Sequence, residues 1–191
     1  MKQKNDTSLS QFLSFLLRHK PETIGLTVQT KGGWANIDEL ITKSRAHGTA
    51  IDRETLERIV REDRKQRYSI SPDGKYIRAN QGHSIDVELE MEERIPPAEL
   101  YHGTAARFLE SIRQNGIKRM SRNYVHLSGD IPTACKVGER HGKPVVLVID
   151  AARMAADGYL FQISANGVWQ SADIPWQYVK DVVYPDTDSK N

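Results

Sequence analysis

Leu9, Phe12, Leu13, Leu16 and Leu17 fall at i, i+3, i+4, i+7 and i+8, a spacing that lines one face of a helix and predicts a buried stripe. Thr7 or Ser8 is placed to cap its start. Pro21 disfavours helical geometry at Lys20, so Arg18 and His19 close the last turn. Asn36-Ile37-Asp38-Glu39 resembles a capping box and opens a second helix through Leu40 and Ile41, stopped near Gly48. Asp52 can cap a third, with Leu56, Ile59 and Val60 on its inner face. Tyr68-Ser69-Ile70 and Tyr76-Ile77-Arg78 then flank Ser71-Pro72-Asp73-Gly74, a hairpin signal. Three helices followed by a hairpin is the order of a winged helix, a variant of helix-turn-helix.

The acidic stretch and Ile95-Pro96-Pro97 make a junction, beyond which short strands alternate with helices. Leu100-Tyr101-His102 reads as a strand. Ala105 to Asn115 reads as a helix with Phe108, Leu109 and Ile112 inward and Gly116 at its end. Tyr124-Val125-His126-Leu127 and Val145-Val146-Leu147-Val148-Ile149 read as buried strands. Tyr159 to Ile163 and Val168 to Gln170 flank Ala165-Asn166-Gly167, another hairpin. The expected fold class is α+β in two domains, 1–95 and 96–191.

A chain of 191 residues suits one large domain or two small ones. No apolar run approaches the ~20 residues of a membrane span, and the first residues lack an apolar signal core. The single cysteine, Cys135, can form neither an internal disulfide nor a thiolate metal cluster. These features suggest a soluble protein of a reducing cytoplasm, and a monomer is expected. The net charge is +2. Between Lys43 and Arg78, however, ten Lys/Arg stand against six Asp/Glu. The following stretch reverses sign, with Asp86, Glu88, Glu90, Glu92 and Glu93 against Arg94 alone. A basic patch can attract phosphates, although a solvated surface is the commoner meaning of such a run.

The phosphate loops Gly-x-x-x-x-Gly-Lys-Ser/Thr and Gly-x-Gly-x-x-Gly are absent, as is the Gly-x-Ser-x-Gly hydrolase elbow. The histidines, at 19, 47, 83, 102, 126 and 141, show none of the short paired spacings of a zinc site. Three local features survive. Arg18-His19 closes an apolar helix with two groups able to grip an anion, although the helix dipole favours cations at any surface helix end. Arg67 follows Arg64-Lys65-Gln66 just before the hairpin, where a solvated basic turn is the plainer reading. Tyr101-His102-Gly103-Thr104 puts a histidine and a glycine at a strand end, where backbone can approach a ligand. A satisfied core histidine fits there equally well.

Taken together, Leu16-Leu17-Arg18-His19-Lys20-Pro21, Arg78-Ala79-Asn80-Gln81-Gly82-His83-Ser84, Tyr101-His102-Gly103-Thr104, His126-Leu127-Ser128, Val137-Gly138-Glu139-Arg140-His141-Gly142 and Asn166-Gly167-Val168-Trp169 occur in the order seen in one family. The chain resembles the bacterial branch of the NAD-dependent RNA (tRNA) 2′-phosphotransferases, from about Leu9 to about Tyr184. The resemblance implies a winged-helix N-terminal lobe with an acidic linker, a C-terminal lobe of the ADP-ribosyltransferase fold, and a cleft between them. It implies that Arg18, His19, Arg67 and Arg122 are catalytic, handling the RNA 2′-phosphate and the NAD-derived phosphates. It also implies that His102, Gly103, Thr104 and Ser128 bind NAD, consumed as co-substrate, and that no metal takes part. Where relatives commonly carry a second proline, this chain has Ile174-Pro175-Trp176.

Many ADP-ribosyltransferases activate a weak acceptor with a glutamate, yet the corresponding strand here reads Asn166-Gly167-Val168-Trp169, with no acid. A phosphate monoester, with a second pKa of about 6, is already largely dianionic near neutral pH. Such an acceptor needs positioning and charge compensation more than a base. Two other activities stay open on the sequence: an ADP-ribosyltransferase that stops at a capped phosphate on RNA or DNA, and a winged-helix nucleic-acid-binding regulator without catalysis.

Overall fold

The computed structural model describes residues 2–89 and 91–185; Glu90 of the acidic stretch lies outside the described residues. The chain divides into two compact units, Met1–Glu90 with Ser121–Asn123, and Met91–Met120 with Tyr124–Asn191.

In the first unit α1 (Lys2–Arg18) buries Leu9, Leu13, Leu16 and Leu17, the stripe expected from the spacing. It starts earlier than expected, so Thr7 and Ser8 lie inside it rather than at its cap. Its early turns are tied down from outside: Asp6 accepts two hydrogen bonds from the Arg58 guanidinium, one of 2.9 Å to Nη2 and one to Nη1. After a 3-10 turn at Pro21–Ile24 and the short β1 (Ala35–Asn36), α2 runs Ile37–Ala46. Asn36 Oδ1 accepts from the Glu39 amide at 3.0 Å. The Glu39 carboxylate turns instead to the Thr27 amide and Lys43. Asp52 caps α3 (Arg53–Glu62) through the Thr55 amide at 2.7 Å, and Leu56 and Ile59 are buried. The hairpin follows as β2 (Tyr68–Ile70) and β3 (Tyr76–Ala79), paired Tyr68 to Ala79. β1 adds on the other side of β3, giving the order β1-β3-β2. Leu13, Leu16, Leu17, Ile37, Leu40, Leu56 and Ile77 form one core.

The second unit holds β4 (Glu92–Glu93), β5 (Glu99–Ala105), α4 (Leu109–Asn115), β6 (Val125–Leu127), α5 (Ile131–Gly138), β7 (Pro144–Asp150), α6 (Ala151–Ala156), β8 (Phe161–Ile163), β9 (Trp169–Ser171) and β10 (Val179–Val183). These strands form two antiparallel sheets, β10-β7-β5 and β4-β8-β9-β6. The expected helix at Ala105 starts late. Ala106–Phe108 makes a 3-10 turn, which shifts the helical phase and leaves Phe108 41% exposed rather than inward. The run Val145–Ile149 is buried as expected, because Val145, Leu147 and Ile149 face the core while α5 covers the other side of β5 and β7. Helices and antiparallel sheets in one chain are compatible with the α+β class, and no described helix is long and apolar enough to cross a membrane.

Candidate active site

The end of α1 is clasped by the segment that follows β3. The Ser84 amide donates to the Arg18 carbonyl at 2.9 Å, and Ser84 Oγ lies 2.8 Å from His19 Nδ1. Gly82, at φ 88°, lets the chain turn beside the guanidinium; a Cβ there would sit 3.6 Å from Arg18 Nη1. The Asn123 amide donates to the His83 carbonyl at 3.2 Å, and Asn123 Nδ2 to the Ile85 carbonyl at 3.3 Å. That fixes the segment carrying Arg122 against the same loop.

Arg67 is placed by two neighbours. Asp63, its side chain only 6% exposed, accepts from the Arg67 amide at 2.7 Å and from Nη1 at 2.7 Å. Asn80, also buried, receives Ser69 Oγ–H and donates to the Gln66 carbonyl, while its own amide donates to the Arg67 carbonyl. Gln66 takes a positive φ of 45° at this crossing, a conformation the Asn80 and Asp63 bonds hold in place.

The first unit therefore gathers Arg18, His19, Arg67 and Arg122 into one electrostatic neighbourhood. Burial holds the Arg18 guanidinium below its ordinary pKa, opposed by Tyr68 and Asp63 and reinforced by Arg67 and Arg122. Arg18 nevertheless stays protonated. Its Nε and Nη2 are buried without a hydrogen-bond partner among the described residues. Buried donors left unpaired are costly, and an oxyanion accepting both would relieve that cost along with the crowding of cations. Burial, then Arg18 and Arg122, lower the His19 pKa. His83, 3% exposed and with neither ring nitrogen partnered among the described residues, has its pKa pushed by burial and its cationic neighbours to about 4. A cleft of about 610 Å3 opens beside this cluster, lined by His19, Asp63 and Arg67 together with residues of α1 and α3.

His102, Gly103, Thr104 and Ser128 lie in the second unit. His102 Nδ1 is 3.1 Å from the His126 carbonyl oxygen. A carbonyl only accepts, so Nδ1 carries the proton of the neutral ring and Nε2 is its acceptor. Tyr101 and Ser128 exchange both backbone hydrogen bonds, at 2.9 and 2.8 Å. Tyr101 therefore points its amide and carbonyl away from β7. Alternation along β5 aims those of Gly103 to the same outer edge, whereas those of the buried Thr104 turn toward its β7 partner Val145. Gly103 is also a packing residue. A Cβ there would land on the Ala134 carbonyl oxygen, and one at Gly138 would come within 2.6 Å of the Thr104 carbonyl oxygen. The two glycines let α5 lie directly on β5. No group of His, Cys, Asp and Glu able to hold a metal occurs among the described residues.

Local pattern missed Asp63, Asn80, His83 and Ser84 as parts of the site. Ser84 reaches His19 across 65 positions of sequence, a separation that no periodicity reports; the only trace was the Arg78–Ser84 motif.

A protein of Fusobacterium nucleatum named "Probable RNA 2'-phosphotransferase" is 53% identical over 177 residues, covering 92% of this chain and 98% of its own length. One of the same name from Agrobacterium fabrum is 46% identical, covering 97% of this chain and 98% of its own. Another, from Streptomyces coelicolor, is 47% identical over 94% and 97%. The profile of one family matches residues 4–173, a span that contains every residue of the arginine–histidine cluster. The chain belongs to the RNA 2'-phosphotransferase, Tpt1 / KptA family.

Proposed function

We propose that this protein removes a 2′-phosphate from RNA and passes it to NAD, yielding nicotinamide, 2′-hydroxyl RNA and ADP-ribose 1″,2″-cyclic phosphate. The observation that carries the proposal is the Arg18 guanidinium, whose buried Nε and Nη2 lack partners among the described residues beside Arg67, Arg122 and His19. That cluster suits a phosphate dianion, which guanidinium forks bind bidentately.

On this reading residues 1–95 form a winged-helix lobe that handles RNA and phosphate, and 96–191 an NAD-binding lobe of the ADP-ribosyltransferase kind. The order of three helices and a three-stranded antiparallel sheet supports the first assignment. The second unit fits NAD through its open edge. The outward amide and carbonyl of Gly103 can pair with a carboxamide such as that of nicotinamide. His102, fixed by the His126 carbonyl, offers an acceptor for a ribose hydroxyl, and Ser128 is locked beside Tyr101. Thr104 supports the strand from beneath α5. The single cysteine suits a reducing cytoplasm.

The chemistry follows in two steps. In the first, a 2′-phosphate oxygen attacks C1″ of the nicotinamide ribose and nicotinamide leaves. No base is needed, since the acceptor is already ionised. In the second, the 2″-hydroxyl attacks phosphorus and the RNA 2′-oxygen departs with a proton. Negative charge then concentrates on the phosphoryl oxygens, where Arg18, Arg67 and Arg122 stabilise it. His19, oriented through Nδ1 by Ser84, supplies a hydrogen bond or proton to the departing oxygen. Incubation with a 2′-phosphorylated oligonucleotide should release nicotinamide and inorganic-phosphate-free, 2′-hydroxyl RNA only when NAD is present. Absence of NAD-dependent turnover would remove the proposal.

A further inference from the structure

The cleft beside the arginine–histidine cluster extends well beyond what a phosphate group needs, at about 610 Å3. One wall is Phe15, a large apolar side chain left 42% exposed, three and four positions before Arg18 and His19 and so on their face of α1. The ring lies one helical turn, about 5.4 Å along the axis, before that pair. This is a step comparable to that from a ribose phosphate to its own base.

Elsewhere the cleft is lined by Thr7, Ser10, Gln11, Ser14 and Ile59. The Tyr68 hydroxyl donates its single proton to the Ser10 carbonyl at 2.6 Å. Its oxygen can then only accept, so Ser14 Oγ, 2.6 Å away, and Ser10 Oγ, 3.2 Å away, must donate to it. Both serines thereby offer only lone pairs to a ligand. Glu62, Asp6 and Asp63 add carboxylates to the lining, Glu62 lying 3.9 Å from Arg58 and Asp6 and Asp63 accepting from Arg58 and Arg67. A second phosphate would be repelled from this lining. A flat, uncharged ring with donors on its edge would be accepted.

We infer that the cleft holds the nucleobase attached to, or next to, the phosphorylated ribose, stacked on Phe15 with its donor edge toward Ser10 and Ser14. This deepens the proposed function and rests on it. An aromatic face beside a cationic phosphate site is how single-stranded nucleic acid is held without strict sequence choice. The lone pairs of Ser10 and Ser14 suit a base that presents an exocyclic amino group.

The test is a binding cycle that needs neither NAD nor turnover. A short 2′-phosphorylated oligonucleotide carrying 2-aminopurine at the phosphorylated position or its neighbour is titrated with protein, alongside its abasic, still 2′-phosphorylated counterpart. Stacking should quench the 2-aminopurine fluorescence. Phe15→Ala and Phe15→Leu should abolish the quench and weaken the base-bearing ligand by about 5- to 100-fold, while the abasic ligand binds as it does to the unaltered protein. Phe15→Trp should keep both quench and affinity, and unchanged thermal melts would show that the variants fold. Equal weakening of both ligands, or no quench in the unaltered protein, would overturn the inference while leaving the phosphotransferase reading in place. Failure of the unaltered protein to bind either ligand would instead remove that reading, and this inference with it.

Discussion

Arg18 is held by its carbonyl to Ser84 and surrounded by Arg67 and Arg122, with Asp63 as the nearby counter-charge. Such a cluster is poised for an anion, and its cost in the free protein falls on its neighbours. His19 feels it directly: after burial, Arg18 and Arg122 are the causes of its lowered pKa. Removing a cation should therefore raise that pKa. Arg122→Ala should move the His19 ring titration upward in an NMR pH series, and no upward movement would contradict the grouping. In turnover, Arg67→Ala or Arg122→Ala should slow the second step by on the order of 100-fold, so that ADP-ribosylated RNA accumulates on a denaturing gel. His83 gives a stability prediction of definite sign. Its pKa is depressed from 6.5 to about 4 in the folded protein, so the unfolded chain takes up the proton first. Stability present above about pH 6.5 should fall as the pH drops toward 4, by about 3 kcal/mol at most. Chemical denaturation across that range should show the slope, and His83→Leu should flatten it.

Among the elements, α5 on β5 is the contact least tolerant of change. Gly103→Ala would press a methyl into the Ala134 carbonyl oxygen. It should cost roughly 3 kcal/mol or prevent folding, because backbone rather than a flexible side chain must give way. Thermal unfolding of Gly103→Ala beside Ser128→Ala measures this, with only a small loss expected for the serine, whose bonds to Tyr101 are backbone bonds. This glycine shows what the sequence could and could not convey. Asn36 and Asp52 announced their helices because a cap is a local bond, and Ser71–Gly74 and Ala165–Gly167 announced hairpins because turn chemistry is local. Glycine at 103 suggested only that something approaches closely. That one approaching group is α5 could not be seen, since the contact depends on the distant Ala134 and Gly138. Phe108 was misplaced for a related reason: its apolar character continued the helical pattern, but a 3-10 turn broke the phase. The clasp of Ser84 on His19 was equally hidden. Ser84→Ala should lower kcat and alter the pH profile with little change in melting temperature, and Ser84→Thr should restore both if the hydroxyl is what orients the ring.

At the scale of the whole chain, the basic stretch is less available to nucleic acid than its count suggests. Lys43, Arg53, Arg58 and Arg67 each pair with a carboxylate, which agrees with a net charge of only +2. Four of the ten cations in this stretch are thus engaged within the protein itself. The family relationship covers nearly the full length of the relatives, 98% for that of Fusobacterium nucleatum, and spans residues of both units. The most direct test of the account is mass spectrometry of the products formed from a 2′-phosphorylated oligonucleotide and NAD. The account predicts 2′-hydroxyl oligonucleotide, nicotinamide and ADP-ribose 1″,2″-cyclic phosphate in equal amounts. An oligonucleotide that stays permanently ADP-ribosylated, or one that is unchanged by NAD, would contradict it.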